Sequence, residues 1–169
     1  SIVLKSLIDL RDLKEKNSSI KALAYQLYEN NGVLKRDQVS DYLKNLGQSE
    51  RKILRDLGVK FGRYHVYLYR LIKPEAVSLR TLLWKNYHQK YLNLKPPTFG
   101  LNFLKEKDKE IKDKNFMLLC GFEKFDNFYI RIDILERLFM QIINSEKEIK
   151  MIPEMLNLLG CDKENFKKL

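Results

Sequence analysis

The first part of the chain alternates between apolar stripes with helical spacing and short polar breaks. Apolar residues recur three and four positions apart up to Leu10, and a polar break follows at residues 17–19. This spacing is typical of an amphipathic helix. Three further helices are predicted from caps and glycine stops, with caps at Ser18 or Ser19, Asp37 and Ser49, and ends at Gly32, Gly47 and Gly58. Their succession predicts a compact helical cluster or a helix-turn-helix.

The period changes after Gly58. Residues 64–69 are aromatic and β-branched, which favours a strand. Strict alternation along that strand predicts one face made of Arg63, His65, Tyr67 and Tyr69. Pro74 suits the first turn of a following helix, which we expect to reach about Lys90. The inner face predicted for this helix consists of Ala76, Leu79, Leu82, Leu83 and Tyr87.

A Pro-Pro pair at residues 96–97 indicates the clearest boundary in the chain. Beyond it, residues 105–114 alternate Lys with Glu and Asp, which favours a solvated helix or loop. Residues 116–120 and 128–130 are predicted strands, followed by an amphipathic helix with Ile132, Leu135, Leu138, Phe139, Ile142 and Ile143 inward. Two last helices are predicted, one beginning at Pro153 and one capped by Asp162. No internal repeat is evident.

These elements predict a mainly α fold with minor β, divided into two domains. Residues 1–95 form a helical basic module with one extended segment. Residues 96–169 form a smaller α+β unit whose pattern is compatible with a winged-helix-like fold. The chain begins at Ser1 within an apolar helical pattern and stops inside its last predicted helix, so we expect it to be a truncated piece of a longer protein.

Composition adds a basic surplus that is confined to one segment. The 169 residues carry a net charge of +10. Residues 51–95 hold 11 basic and 2 acidic side chains, whereas residues 1–50 hold 8 and 7, and residues 96–169 hold 13 and 13. A codon bias towards Lys would spread the charge along the chain. The concentration therefore favours a functional basic surface, for which nucleic acid is the first candidate partner.

The sequence lacks the motifs that mark several classes of catalytic or cofactor-binding site. The sequence has no phosphate-binding loop, dinucleotide fingerprint or HExxH, so we expect no catalytic residue, no enzymatic activity and no cofactor in this chain. Cys120 and Cys161, with His65 and His88, have no metal-ligand spacing, so no metal site is predicted. Two isolated cysteines fit a reducing cytoplasm. No apolar run is long enough for a bilayer, and no membrane partner is expected.

The segment 51–95 interleaves cations with aromatic residues, a pattern that can hold single-stranded nucleic acid through phosphates and stacked bases. The candidate binding residues are Arg51, Arg55, Lys60, Arg63, Tyr67, Arg70, Lys73, Arg80 and Lys85. Among them, Arg63, Arg70, Lys73 and Arg80 are the first choices, because they flank the extended segment. Tyr67 has two open interpretations, a stacking platform or a core residue.

At the same residues the sequence resembles a family. Leu57-Gly58-Val59-Lys60-Phe61-Gly62-Arg63, Val66-Tyr67-Leu68 and residues 71–84 resemble the C-terminal region of bacterial superfamily-two ATP-dependent helicases, similar to the RNA helicase of the mitochondrial degradosome. Met155-Leu156-Asn157-Leu158-Leu159-Gly160-Cys161 with Phe166 is similar to that family's closing helices. Tyr69 departs from the pattern, which has Pro there.

The resemblance implies an accessory domain that holds a nucleic-acid strand beside an ATPase core located upstream and outside this chain. ATP and Mg²⁺ would then belong to the parent protein, and the partners would be single-stranded RNA or DNA, the helicase core and an exonuclease. Two alternatives stay open: a protein-interaction module that docks a nuclease or another partner, and a helix-turn-helix DNA-binding regulator.

Overall fold

A computed structural model describes residues 2–89, 93–105, 113–125 and 127–144. The two helices predicted from Pro153 and Asp162 lie outside these residues. The chain divides into two compact units, Ser1–Lys90 and Tyr91–Leu169. Helices predominate in the described residues and strands form two small antiparallel sheets, which confirms the predicted mainly α class with minor β.

The first unit contains five α-helices, two 3₁₀ turns and three short strands. In chain order these are α1 (Ile2–Arg11), α2 (Ser18–Glu29), β1 (Val33–Lys35), a 3₁₀ turn (Arg36–Val39), α3 (Ser40–Lys44), α4 (Gln48–Asp56), β2 (Val59–Phe61), β3 (His65–Leu68), a second 3₁₀ turn (Tyr69–Ile72) and α5 (Pro74–His88). Their apolar faces form one core, which draws on α1, α2, α4, the sheet and the start of α5.

The N-cap of α2 lies one residue before the first of the two predicted caps. The Asn17 side chain accepts hydrogen bonds from the backbone N–H groups of Ser19 and Ile20, so Asn17 caps the helix and Ser18 is already helical. An amide oxygen serves this position as well as a hydroxyl does. The helix ends as predicted, because Asn31 and Gly32 adopt left-handed backbone conformations.

The third and fourth helices form a helix-turn-helix, but their predicted caps are wrong. Asp37 lies inside the first 3₁₀ turn and does not cap a helix. Gly47 does not end α3 in a left-handed turn; with a φ of −77° it precedes α4 and serves as its N-cap. Ser49 consequently lies in the first turn of α4. A tight turn of residues 45–47 joins the two helices.

The three strands of the first unit pair antiparallel in the order β1-β3-β2. Only β3 was predicted, since β1 and β2 have three residues each. All four residues of β3 are buried, so the predicted alternation of its faces is not seen in their exposure. With this strand order, the first unit has the topology of a winged helix, whose elements follow one another as α2, β1, α3, α4, β2 and β3. The sequence had suggested such a fold for residues 96–169 instead.

The buried face of α5 differs from the predicted one. Ala76, Val77, Arg80 and Thr81 are buried, whereas Leu82, Leu83 and Tyr87 are exposed. The helix packs through its first half, against α1 and the second 3₁₀ turn. The apolar residues of its second half therefore lie outside the core of this unit, although their spacing is helical.

The second unit contains three strands and two helices among its described residues. These are β4 (Phe103–Lys105), α6 (Lys114–Leu119), β5 (Phe122–Phe125), β6 (Phe128–Arg131) and α7 (Ile132–Asn144). The strand predicted at residues 116–120 is wrong, because most of these residues belong to helix α6. The Asp113 carboxylate caps this helix by accepting a hydrogen bond from the Phe116 N–H. Strand β6 and helix α7 agree with their predictions, except that Ile143 is exposed.

The two units share one supersecondary arrangement that the sequence did not reveal. Each has a three-stranded sheet whose first strand pairs with the third, and the third with the second. In each, a glycine with positive φ precedes the second strand, Gly58 or Gly121. Its carbonyl accepts the N–H of the residue that follows the third strand, Tyr69 or Ile132. The three residue pairs of the β2–β3 hairpin also correspond in register to three of the four pairs of the β5–β6 hairpin.

Candidate nucleic-acid interface

Helix α4 is anchored along one side and exposed along the other. Leu54 is fully buried and packs in the core of the first unit. The exposed positions are Gln48, Ser49, Lys52, Arg55 and Asp56. They recur at three- and four-residue spacing, so one hydrophilic stripe runs the length of the second helix of the helix-turn-helix.

Arg51 fixes the turn that precedes α4. Its guanidinium donates to the Leu43 carbonyl at 2.9 Å and to the Leu46 carbonyl at 3.2 Å. These carbonyls lie at the end of α3 and in the turn, so the Arg51 side chain ties the turn to α4. Arg51 was predicted to contact nucleic acid; in the structure it is half-buried and makes these contacts within the protein.

The side chain of Phe61 brings the β2–β3 turn next to α4. The guanidinium carbons of Arg51 and Arg55 each lie 5.7 Å from the centre of the Phe61 ring. Phe61 is the last residue of β2, so the turn at residues 62–64 begins immediately beside the helix. The turn is fastened on its other side by Arg36, whose side chain donates to the Gly62 carbonyl at 2.7 Å.

We use the name α4–turn face for the exposed hydrophilic residues of α4 and of the turn that Phe61 brings next to it. It consists of Gln48, Ser49, Lys52 and Arg55 on the helix and Arg63 on the turn. Of the predicted binding residues, Arg55 and Arg63 belong to it. Lys60 is exposed but alternates with Phe61 along β2, so its side chain projects from the opposite side of the strand.

Two predicted cations lie at the other end of β3. Arg63 precedes this strand, whereas Arg70 and Lys73 follow it, so the strand lies between Arg63 and the other two. Lys73 donates to the Tyr69 hydroxyl at 2.8 Å and lies 4.4 Å from the centre of its ring. The first-choice residues Arg63, Arg70, Lys73 and Arg80 are therefore not one cluster.

Two other predicted contacts are interior residues. Arg80 is fully buried and donates to the Leu71 carbonyl, which ties α5 to the second 3₁₀ turn. Tyr67 is 6% exposed in the central strand, so the structure supports its core interpretation over the stacking platform. Neither side chain is accessible to a ligand, and both contact predictions are corrected on that ground. Lys85 is half-buried on α5.

The carboxylate of Glu50 is directed at the start of α4. Hydrogen bonds from its own backbone N–H and from the Ser49 hydroxyl, with smaller contributions from the Gly47 N–H and the Asn17 side chain, lower its pKa below the ordinary value. A glutamate at the third helical position commonly reaches back to the N-cap in this way. The Glu50 carboxylate is thus engaged with the start of α4.

The residues considered for metal binding belong to different elements. His65 is buried in β3, His88 is exposed at the end of α5, and Cys120 is buried after α6. Cys161 lies outside the described residues. Within the described ranges, no group of three or more His, Cys, Asp and Glu side chains has a geometry suited to a metal ion.

Sequence reasoning left Gln48, Ser49 and Arg36 out of the predicted site. All three lie before residue 51, where the local charge is balanced, so charge counting could not find them. Lys52 lies inside the basic segment but was not selected. Helical spacing could have identified the residues of α4, because Gln48 or Ser49, Lys52 and Arg55 share one side of a helix whose opposite side is apolar.

Comparisons with protein-family models, with curated proteins and with solved structures found no match for this chain. Of the helices that the structure describes, none combines the length and the apolar character needed to cross a membrane.

Proposed function

We propose that this chain is an accessory domain of an ATP-dependent RNA or DNA helicase and that it holds nucleic acid through the α4–turn face. The observation that carries the proposal is the grouping of Lys52, Arg55 and Arg63 beside hydrogen-bonding side chains on an exposed helix-turn-helix. Cations neutralise phosphates, and a second helix in this motif is a common nucleic-acid contact.

The helicase part of the proposal rests on the sequence resemblance of residues 57–84. The ATPase core, with its ATP and Mg²⁺, would then belong to a parent protein in the cytoplasm, and this chain would contribute no catalytic group. Phosphoryl transfer requires a phosphate cradle and a metal-holding acid. The sequence of this chain contains no motif for either.

The binding proposal is tested by titrating the chain with labelled 20-mers at low and moderate salt. Lys52→Gln with Arg55→Gln should weaken binding, and each lost phosphate contact should flatten the salt slope by about 0.9 on B-form DNA or about 0.7 on a single strand. Lys114→Gln with Arg137→Gln is the matched control, since both residues are exposed in the second unit. If the chain showed no salt-dependent binding to any of the probes, the proposal would be overturned.

The helicase assignment has its own test in the parent protein. Nucleic acid should stimulate ATP hydrolysis there. The Lys52→Gln, Arg55→Gln variant should keep the basal rate and require a higher nucleic-acid concentration for stimulation. An unchanged concentration dependence would place nucleic-acid holding elsewhere in the parent.

A second candidate function is docking of a partner protein, such as a nuclease. The exposed second half of α5 favours it, because Leu82 is 55% and Tyr87 is 84% exposed. Exposed apolar side chains that cluster on one element are typical of interaction surfaces. In that case Leu82→Ser would abolish capture of the partner and leave oligonucleotide binding unchanged.

A further inference from the structure

We infer that the ligand of the α4–turn face is double-stranded DNA, with α4 entering the major groove, and not a single strand. This inference rests on the proposed function and specifies its substrate. The sequence favoured a single strand because tyrosines and cations alternate in residues 51–95. Three structural points favour duplex DNA instead.

The first point is the position of the aromatic rings. Proteins hold single strands by stacking bases on exposed aromatic side chains along a groove. Tyr67 is buried in the central strand, and Phe61 is half-buried and lies against the guanidinium groups of Arg51 and Arg55. Around strand β3, the exposed aromatic rings in the described part of the chain are Tyr64, on the turn before the strand, and Tyr69, directly after it. Two rings at opposite ends of one strand do not form a continuous stacking track.

The second point is the shape of the face. A helix of nine residues is about 13 Å long and, with side chains, about 10–12 Å across. The major groove of B-form DNA is about 12 Å wide and admits such a helix. The A-form major groove of double-stranded RNA is deep and narrow and excludes it. A convex helix therefore matches duplex DNA better than duplex RNA.

The third point is the order of side chains along the stripe. Gln48 and Ser49 lie in the first turn of α4, where helix-turn-helix proteins contact base edges. Lys52 and Arg55 follow one and two turns later, and Arg63 projects from the neighbouring turn. Gln and Ser can form hydrogen bonds with base edges, and the cations can reach the flanking phosphates.

The acidic groups around the face are compatible with this orientation. Glu50 is directed at the backbone of the helix N-terminus, as described above. Asp56 is exposed at the last residue of α4, away from the turn that would enter the groove first. Of the two carboxylates of α4, Asp56 is thus at the end of the stripe farthest from the bases, and Glu50 is hydrogen-bonded within the first turn.

The test compares three labelled probes with the full chain: a 20-mer single strand of DNA, the 20-base-pair DNA duplex that contains it, and the RNA duplex of the same sequence. Because duplex DNA has a higher charge density and a groove for α4, it should bind at least about tenfold more tightly than either other probe. Equal or tighter binding of the single strand or of the RNA duplex would overturn the inference and leave the proposed function intact. Binding of no probe would overturn both.

Chemical protection tests groove entry directly. With α4 in the major groove, guanine N7 atoms of the bound duplex should be protected from methylation. Gln48→Ala with Ser49→Ala should reduce this protection while leaving the salt slope unchanged, because neither side chain is charged. Lys60→Gln is the control on the opposite side of β2 and should alter neither measurement. A duplex that binds without N7 protection would contradict insertion of α4.

Discussion

At the scale of single residues, the arginines of the basic segment divide between structure and surface. Arg51 donates to two main-chain carbonyls and Arg80 lies in the core, whereas Arg55 and Arg63 are exposed. A count of charges along the sequence cannot separate these cases, because burial depends on which face of a helix packs. The basic segment was found from the sequence, but the division of its arginines between exposed and interior positions was not.

The core position of Tyr67 leads to a stability prediction with a matched tyrosine control. Tyr67→Ala should lower the free energy of unfolding by about 3–5 kcal/mol, as for other large aromatic truncations. Tyr87→Ala should change it by no more than about 0.5 kcal/mol, since Tyr87 is 84% exposed. Urea unfolding followed by circular dichroism measures both. Similar costs for the two variants would contradict the buried position of Tyr67.

Glu50 predicts a pH dependence of stability. Its pKa is lowered in the folded protein by hydrogen bonds from its own N–H and from Ser49, so its contribution is present above the unfolded pKa of about 4.3. That contribution is lost as the pH falls through the lower, folded pKa. The wild-type protein should therefore be more stable than Glu50→Gln at pH 7, and the two should converge at acidic pH. Unfolding titrations across this range check the sign, and a constant difference would contradict it.

At the scale of elements, the long helices were predictable and the short strands were not. Helices α1, α2 and α7 carry several turns of apolar periodicity, so their existence follows from the pattern. Strands β1, β2 and β4 contain three residues each, which is too short for alternation to be recognised. The apolar run 116–120 is equally short, and there capping by Asp113 decided in favour of a helix.

Two glycines at element boundaries allow a graded prediction. Gly58 has a φ of +94°, and a Cβ there would lie 3.8 Å from Leu68, an ordinary contact. Gly58→Ala should therefore cost about 1–2 kcal/mol from backbone strain alone. Gly32 has a φ of +84°, and a Cβ there would lie 2.7 Å from a methyl carbon of Leu71. Gly32→Ala adds this clash in the core.

The thermal unfolding temperature should thus be lowest for Gly32→Ala, intermediate for Gly58→Ala and highest for the wild type. Gly100→Ala isolates the backbone contribution, because Gly100 has a positive φ and no atom within 4 Å of the added Cβ. If Gly32→Ala and Gly100→Ala were equally stable, the close approach of Leu71 would play no part.

At the scale of the whole molecule, the mainly α class followed from the sequence, whereas the arrangement within each unit did not. Strand pairing joins segments far apart in the chain, such as β1 with β3, and no local pattern encodes it. The correspondence between the two sheets is likewise a property of hairpin register. Charge differs sharply between the units: residues 1–90 carry 18 basic and 9 acidic side chains, and residues 91–169 carry 14 and 13.

Among the described residues, each unit contains an apolar cluster of its own, which predicts separable responses to core mutations. One core is built from residues between Val3 and Leu79, and another from residues between Phe103 and Ile142. Leu23→Ala should lower hydrogen-exchange protection in the first unit by about 2–5 kcal/mol. It should leave protection in the second unit within about 0.5 kcal/mol, because the altered site shares no core residue with it. Ile130→Ala should give the reciprocal pattern.

Amide exchange resolved by peptide measures both variants in the intact chain. An equal loss of protection in both units would mean that they unfold as one cooperative body, and separate cores would then not imply separate stability. With the expected result, substitutions on the α4–turn face can be assigned to the first unit alone. A loss of nucleic-acid binding in Lys52→Gln with Arg55→Gln would then report on that surface, since the fold of the second unit serves as the internal reference.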